Sequence, residues 1–260
     1  MSKLILCLLM GGAAFAGAIG TQFVSLVQAG SAQARSPGQS PGDVADPASP
    51  VVIELFTSQG CASCPPADLL ARRLAKDQSL LVITRPVTYW DRLGWKDTLA
   101  REANSRLQRD YAAKGNAGAG VYTPQIVVNG GDSAVGSREH DIRSLVRRAD
   151  RSGPRISISR ASSGQLMVRI SGKSDYMASV SLIALSSSEA VRIGGGENGG
   201  RTLHFTNVVR EERVLGSWRG RQETFAVPPA YLKVSGADRY AIKVQQPGAG
   251  RIVAAKLLDI

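Results

Sequence analysis

The residues best suited to chemistry are Cys61 and Cys64, in the string Cys61-Ala62-Ser63-Cys64. Two thiols at this spacing reach each other within one helical turn and can close a disulfide. Ahead of them, Val51-Val52-Ile53-Glu54-Leu55-Phe56 reads as a buried strand interrupted only by Glu54. Behind them, Pro65-Pro66 suits a first helical turn, and Leu69, Leu70, Arg73 and Leu74 begin a helical pattern. A Cys-x-x-Cys at such a junction sets the first sulfur over the unsatisfied N–H groups of the helix start. Those donors and the helix dipole favour a thiolate, the reactive form. The third cysteine, Cys7, lies in the leader, so a cleaved chain keeps only this pair. Closing so small a loop restrains an unfolded chain little, which makes redox chemistry the stronger reading and a structural staple the weaker one.

The elements that must hold the pair follow in order. The helix after Cys64 is predicted to run to Lys76, and Leu80–Val87 is a second apolar run, most simply a parallel neighbour of the first strand. Thr88–Asp97 (TYWDRLGWKD) is rich in aromatics and acids. Trp90, Asp91 and Trp95 either cap the core or border the dithiol and shape substrate access. Thr98–Lys114 is predicted helical, with Leu99, Ala103, Leu107 and Tyr111 on one face. After a connector at Asn116–Gly120, Pro124 opens a strand, Asn129-Gly130-Gly131 makes a hairpin turn, and Asp132–Gly136 returns. A helix over Arg138–Arg151 turns Ile142, Leu145, Val146 and Ala149 inward. The order is β-α-β-α-β-β-α.

Residues 1–34 read as an export signal: Lys3 is the only charge before Arg35, Leu4–Ile19 is apolar, and Ala32-Gln33-Ala34 has the small-x-small form of a cleavage site. Cleavage is the favoured reading over an uncleaved anchor, and the expected location is periplasmic or secreted. Residues 35–50, rich in Pro, Gly, Ser and Ala, form a flexible linker. The net charge is +11, about +10 without Lys3. Its basic residues are scattered, with neither a clustered patch nor a recognisable module, so no nucleic-acid partner is expected. The charge suits solubility or weak association with anionic envelope surfaces.

Beyond Pro154, short β-like runs alternate with Gly, Ser and Asn turns: Arg155–Arg160, Gln165–Ser171, Ser179–Leu185, Thr202–Val214, Glu223–Val227, Tyr240–Gln245 and Ile252–Leu258. They read as an antiparallel sandwich or barrel. Gly194–Gly200 contains a G-x-G-x-x-G string, but it lies between strands with no helix after it. A mobile hairpin loop is expected there, not a dinucleotide site.

The strings TSQGCASCPPAD, YWDRLGWKD, VYTPQIVVNG and GGENGGRTLHFTNVVR, spanning Thr57 to Arg210, resemble a secreted, thioredoxin-like bacterial family, domain of unknown function 1223. The resemblance implies an α/β thioredoxin-like domain over 51–153 and an antiparallel all-β (sandwich or barrel) region over 154–260. It assigns no substrate. The wider resemblance to thioredoxins implies that Cys61 attacks and Cys64 resolves, that Pro124 is a cis-proline beside the dithiol, and that the Thr123 backbone receives a peptide. It also implies that Glu54 is a buried acid able to take a proton from Cys64.

The leading functional expectation is an exported thiol–disulfide oxidoreductase that needs no cofactor and acts on protein thiols, disulfides or a redox partner protein. Two others stay open. Paired thiolates suit Cu(I), but neither histidine, His140 or His204, lies near the motif in sequence, so no metal ligand is assigned. A non-catalytic envelope binding module that keeps its disulfide is the third reading, favoured if Cys61 is buried.

Overall fold

Strand β1 (Val51–Thr57) is buried along its whole length, as its apolar run demands. It pairs in parallel with β2 (Leu80–Pro86) and antiparallel with β3 (Gln125–Val128). β4 (Ser133–Val135) returns beside β3 through a tight turn in which Asn129 and Gly130 both have positive φ, 45° and 63°. Helices α1 (Pro65–Leu74) and α3 (Glu139–Arg148) cover one face of these strands, where Ile53 and Leu55 meet Leu70, Ile126 and Ile142. The computed structural model describes residues 49–115 and 120–258; the expected export signal and nearly all of the expected linker lie outside the described residues. No described helix is long and apolar enough to cross a membrane.

The other four long strands are β7 (Ala178–Arg192), β8 (Thr202–Trp218), β10 (Arg239–Gln245) and β11 (Ile252–Leu258). They join the same sheet, in the order β11-β10-β7-β8-β2-β1-β3-β4. The seam is β2 to β8, parallel at Thr84 opposite Val208. Two side chains fasten it: the Thr84 hydroxyl donates to Thr206 O at 2.6 Å, and Asn207 Nδ2 donates to Val82 O at 2.8 Å. The remaining strands, β5 (Arg155–Arg160), β6 (Leu166–Ser171) and β9 (Glu223–Val227), form a three-stranded antiparallel sheet. They enclose a core around Trp218, Val168 and Ile242.

The expected fold class, an α/β thioredoxin-like domain followed by an antiparallel all-β sandwich or barrel region, is thereby corrected. Among the described residues the chain is mostly β, built on one mixed eight-stranded sheet to which both halves contribute, with three short α-helices. The physical reason is the outer edge of β2. An edge strand presents unpaired N–H and C=O groups, and β8 satisfies that edge from more than a hundred residues away.

Helix α2 (Glu102–Ala113) departs from its expected face as well. Leu99 lies outside the helix, and the buried α2 residues are Asn104, Ser105, Gln108 and Tyr111. This polar face is matched to a charged cluster on the side of the sheet away from α1. There Arg85 Nε donates to Glu54 Oε1 at 2.7 Å and Arg85 Nη2 to Glu212 Oε2 at 2.8 Å, while Lys243 Nζ lies 2.9 Å from Glu212 Oε1. The Tyr111 hydroxyl donates to Glu54 Oε2 at 2.5 Å. Burial alone would raise Glu212, but the Lys243 and Arg85 cations hold it at about 2.

Candidate functional site

The dithiol loop is set by short-range backbone bonds. Cys61 N–H donates to Ser58 O at 3.2 Å, Cys64 N–H donates to Cys61 O at 3.2 Å, and Gly60 N–H donates to Ser58 Oγ at 3.1 Å. Cys64 caps α1, and Pro65 and Pro66, which lack N–H groups, fill its first positions. The Cys64 carbonyl then accepts from Ala67 and Asp68 at 2.9 and 3.1 Å. Cys61 and Cys64 are joined as a disulfide with Cα atoms 5.4 Å apart, and Cys61 Sγ lies 3.4 Å from the Ser63 hydroxyl. Both cysteines are 0% exposed, although Ala62 and Ser63 between them face solvent.

The loop after β2 braces this turn. Gln59 N–H donates to Asp97 Oδ2 at 2.8 Å, and Trp95 Nε1 donates to Gln59 Oε1 at 2.8 Å. Asp91 accepts from the Asp97 N–H at 3.1 Å and so holds the loop to itself. Trp90 Nε1 donates to Thr123 Oγ1 at 2.8 Å, while its Cβ lies close to Gly60. Trp90 therefore links the Cys61 side of the site to Thr123. The Thr123–Pro124 peptide bond is cis and Pro124 is buried. A Cβ on Gly136 would stand 3.0 Å from both the Ala67 and Pro124 Cβ atoms, so Pro124 lies close against the first turn of α1. The structure thus brings Cys61, Cys64, Thr123, Pro124, Trp90 and Trp95 into one region, with Asp91 in support.

Glu54 is placed elsewhere. It is fully buried, but on the face of β1 opposite α1, with its oxygens engaged by Arg85 and Tyr111. Two acids are buried on the dithiol side, each 4% exposed: Asp97 in the bracing loop, and Asp68 one helical turn beyond Cys64. Residues four apart on a helix share a face. Asp68 Oδ1 accepts from the Thr57 hydroxyl at 2.9 Å, whereas the buried Oδ2 has no hydrogen-bond partner among the described residues. Burial pushes the Asp68 carboxyl up to about 8, with Asp97 adding to the rise, so it holds a proton at neutral pH. A signal for it exists in the sequence: Asp68 stands among Ala67, Leu70 and Ala71 on the buried face of an amphipathic helix.

A second missed pair, Glu197 and Asn198, had no such signal. They form the tip of the long β7–β8 hairpin. Asn198 is buried, and its Nδ2 donates to Gln59 O at 3.0 Å and Cys61 O at 2.9 Å. Glu197 Oε2 accepts from the Ala62 N–H at 3.0 Å. The glycine-rich segment expected to be a mobile loop is therefore seated on the dithiol turn. His140, on α3, and His204, on β8, are both exposed.

These features define a β-rich protein whose candidate site is a closed, buried Cys-x-x-Cys disulfide at a helix start. The chain belongs to the family described as Protein of unknown function (DUF1223), whose model matches residues 52–245. It is similar to a protein of Agrobacterium tumefaciens known from a crystal structure. The two are 28% identical with a TM-score of 0.70, over 82% of this chain and 96% of that one. A likeness of fold connects it to HBP35 of Porphyromonas gingivalis, at 11% identity and a TM-score of 0.51, covering 82% and 76% of the two chains. No curated protein matches the chain.

Proposed function

We propose that the protein is an exported thiol–disulfide oxidoreductase acting on protein thiols or disulfides in the periplasm or outside the cell. The observation that carries the reading is the Cys61–Cys64 disulfide at the start of α1, with Trp90 close to the neighbouring Gly60 and Pro124 near Ala67 in the first turn of that helix. In the oxidising direction a substrate thiolate attacks Cys61 Sγ. The Cys61–Cys64 bond breaks with its electron pair leaving on Cys64, and the substrate is joined to Cys61 as a mixed disulfide. A second substrate thiolate attacks the first substrate sulfur and releases Cys61. Two electrons and two protons have then moved from substrate to protein. Asp68, protonated at neutral pH and one turn along the same helix face, is placed to supply the proton Cys64 needs. The reverse sequence reduces a substrate disulfide.

The test is a pair of substitutions. Cys61→Ser is expected to abolish exchange with a dithiol while the fold persists, and Cys64→Ser to trap mixed disulfides. Exchange that survives Cys61→Ser overturns Cys61 as the attacking residue.

One observation favours the second reading, a binding module with a retained disulfide: neither cysteine is exposed. The readings separate on whether the folded protein equilibrates with dithiothreitol. A pair reduced only on unfolding supports the module.

A further inference from the structure

The β7–β8 hairpin continues beyond the sheet and ends in a tip closed on itself. Ile193 N–H donates to Arg201 O at 2.9 Å, Gly200 N–H to Ile193 O at 2.9 Å, and Gly199 N–H to Gly196 O at 3.0 Å. Arg201 Nη1 adds a bond to Asn198 Oδ1 at 2.8 Å, which fixes the amide that grips Gln59 O and Cys61 O. Trp95 lies so close to the hairpin that a Cβ on Gly194 would come within 2.7 Å of its ring. The tip therefore has two anchorages, one on the Trp95 loop and one on the dithiol turn. What it delivers to that turn is the Glu197 carboxylate, accepting the N–H of the residue that follows Cys61.

The turn amides after the attacking cysteine are natural donors to its thiolate, and a nearby negative charge opposes that thiolate. Building on the exchange reading above, we infer that Glu197 is a positioning residue that sets the redox poise of the dithiol. Its carboxylate occupies the Ala62 N–H and places negative charge beside Cys61, so the reduced pair is disfavoured and the disulfide is held closed. A partner that lifts the tip frees the Ala62 donor, removes the charge and makes the pair more oxidising in the same movement. The other titratable groups around the turn are Arg201 on the hairpin, Asp68 on α1, which holds a proton at neutral pH, and Asp91 and Asp97 on the loop after β2.

The experiment equilibrates folded wild type, Glu197→Gln, Glu197→Ala and Glu197→Asp with dithiothreitol. On reduction the Cys61–Cys64 bond breaks, the two dithiothreitol sulfurs join, and two electrons and two protons pass to the cysteines. Removal of the charge in Glu197→Gln and Glu197→Ala is expected to shift the equilibrium about tenfold toward the dithiol, a potential about 30 mV higher. Glu197→Asp is expected to remain within about twofold of wild type. In a Cys64→Ser background, the pH profile of Cys61 alkylation should move to lower pH with Glu197→Gln. A wild-type pair that equilibrates normally, with an equilibrium constant that neither Glu197→Gln nor Glu197→Ala changes, overturns this inference and leaves the exchange reading standing. A wild-type pair that does not equilibrate while folded overturns both.

Discussion

Glu54 and Asp68 are buried carboxyl groups on opposite sides of β1, and their surroundings differ in kind. Glu54 sits among Arg85, Lys243, Glu212 and Tyr111, where two acids face two bases and the tyrosine hydroxyl supplies a further donor. Among the described residues, Asp68 has one hydroxyl donor, no cation, and an oxygen left over. A charge taken out of water must be matched or neutralised. The first site matches its charges across four strands and can hold them only in one arrangement. The second leaves its acid to be neutralised by a proton, beside a disulfide. Full satisfaction marks the cluster as architecture, and the unsatisfied oxygen marks the other acid as a group free to exchange.

The widest separation between the two sites should appear on Arg85→Ala. It strips Glu54 and Glu212 of their shared guanidinium and leaves buried carboxylates underpaired, which costs about 3–5 kcal/mol. Denaturant unfolding measures it, and a loss below about 1 kcal/mol would show that the cluster is not the matched unit described here. Tyr111→Phe is milder. It keeps the edge-to-face contact with Phe56, ring centroids 6.1 Å apart, but removes the donor to Glu54 and the acceptor for Gln245 Nε2. A hydrogen bond to a charged group predicts a loss of about 1.5–3 kcal/mol. Asn198→Ala moves to the dithiol side, where it leaves the Gln59 and Cys61 carbonyls without their shared donor. The expected cost is about 1–2 kcal/mol, accompanied by faster hydrogen exchange at the dithiol turn and faster reduction of the disulfide by dithiothreitol.

The sequence carries these regions unequally, for physical reasons. β1, the Cys-x-x-Cys turn and the proline-led start of α1 are local: each follows from residues within a few positions, so periodicity and turn chemistry reveal them. The Asn129-Gly130 turn is local too, since both residues must accept positive φ. The joining of β8 to β2 has no local signature. It depends on one parallel register point and on the side chains of Thr84 and Asn207, which look like ordinary polar strand residues until their partners are known. α2 misleads for the same reason. Its apolar repeat suggests a greasy face, but what it meets is a charged cluster assembled from distant strands, so Asn104, Ser105 and Gln108 are buried beside Tyr111, the one residue of that repeat buried within the helix. The hairpin tip is the extreme case: Asn198 reaches back 137 residues to Cys61. The extension of β7 through Ser186-Ser187-Ser188, which carries it there, has none of the apolar alternation by which strands are recognised.

Asp68→Asn provides the subtlest contrast, because its sign depends on pH. Burial raises the carboxyl from 3.8, its value when exposed, to about 8 in the folded protein. A raised acid contributes stability fully below its unfolded value, and that stability is lost as pH rises toward the folded value. Wild type is therefore expected to weaken progressively between about pH 4 and pH 8, as the unfolded chain releases this proton and the folded one retains it. Asparagine resembles the protonated acid and does not titrate. Near pH 4 the substitution should change stability by less than about 1 kcal/mol, and the variant should gain on wild type as pH rises until, above pH 8, it is clearly the more stable protein. Urea melts at pH 4, 7 and 9 decide this. A difference between the two proteins that stays constant with pH would mean that Asp68 is ionised in the fold, and that the unpartnered oxygen has another source of compensation. The same variant sharpens the chemical side of the comparison. With no proton to give, its reduction by dithiothreitol should slow at neutral pH and lose any inflection near pH 8, whereas the corresponding change at Glu54 should alter stability without moving that profile.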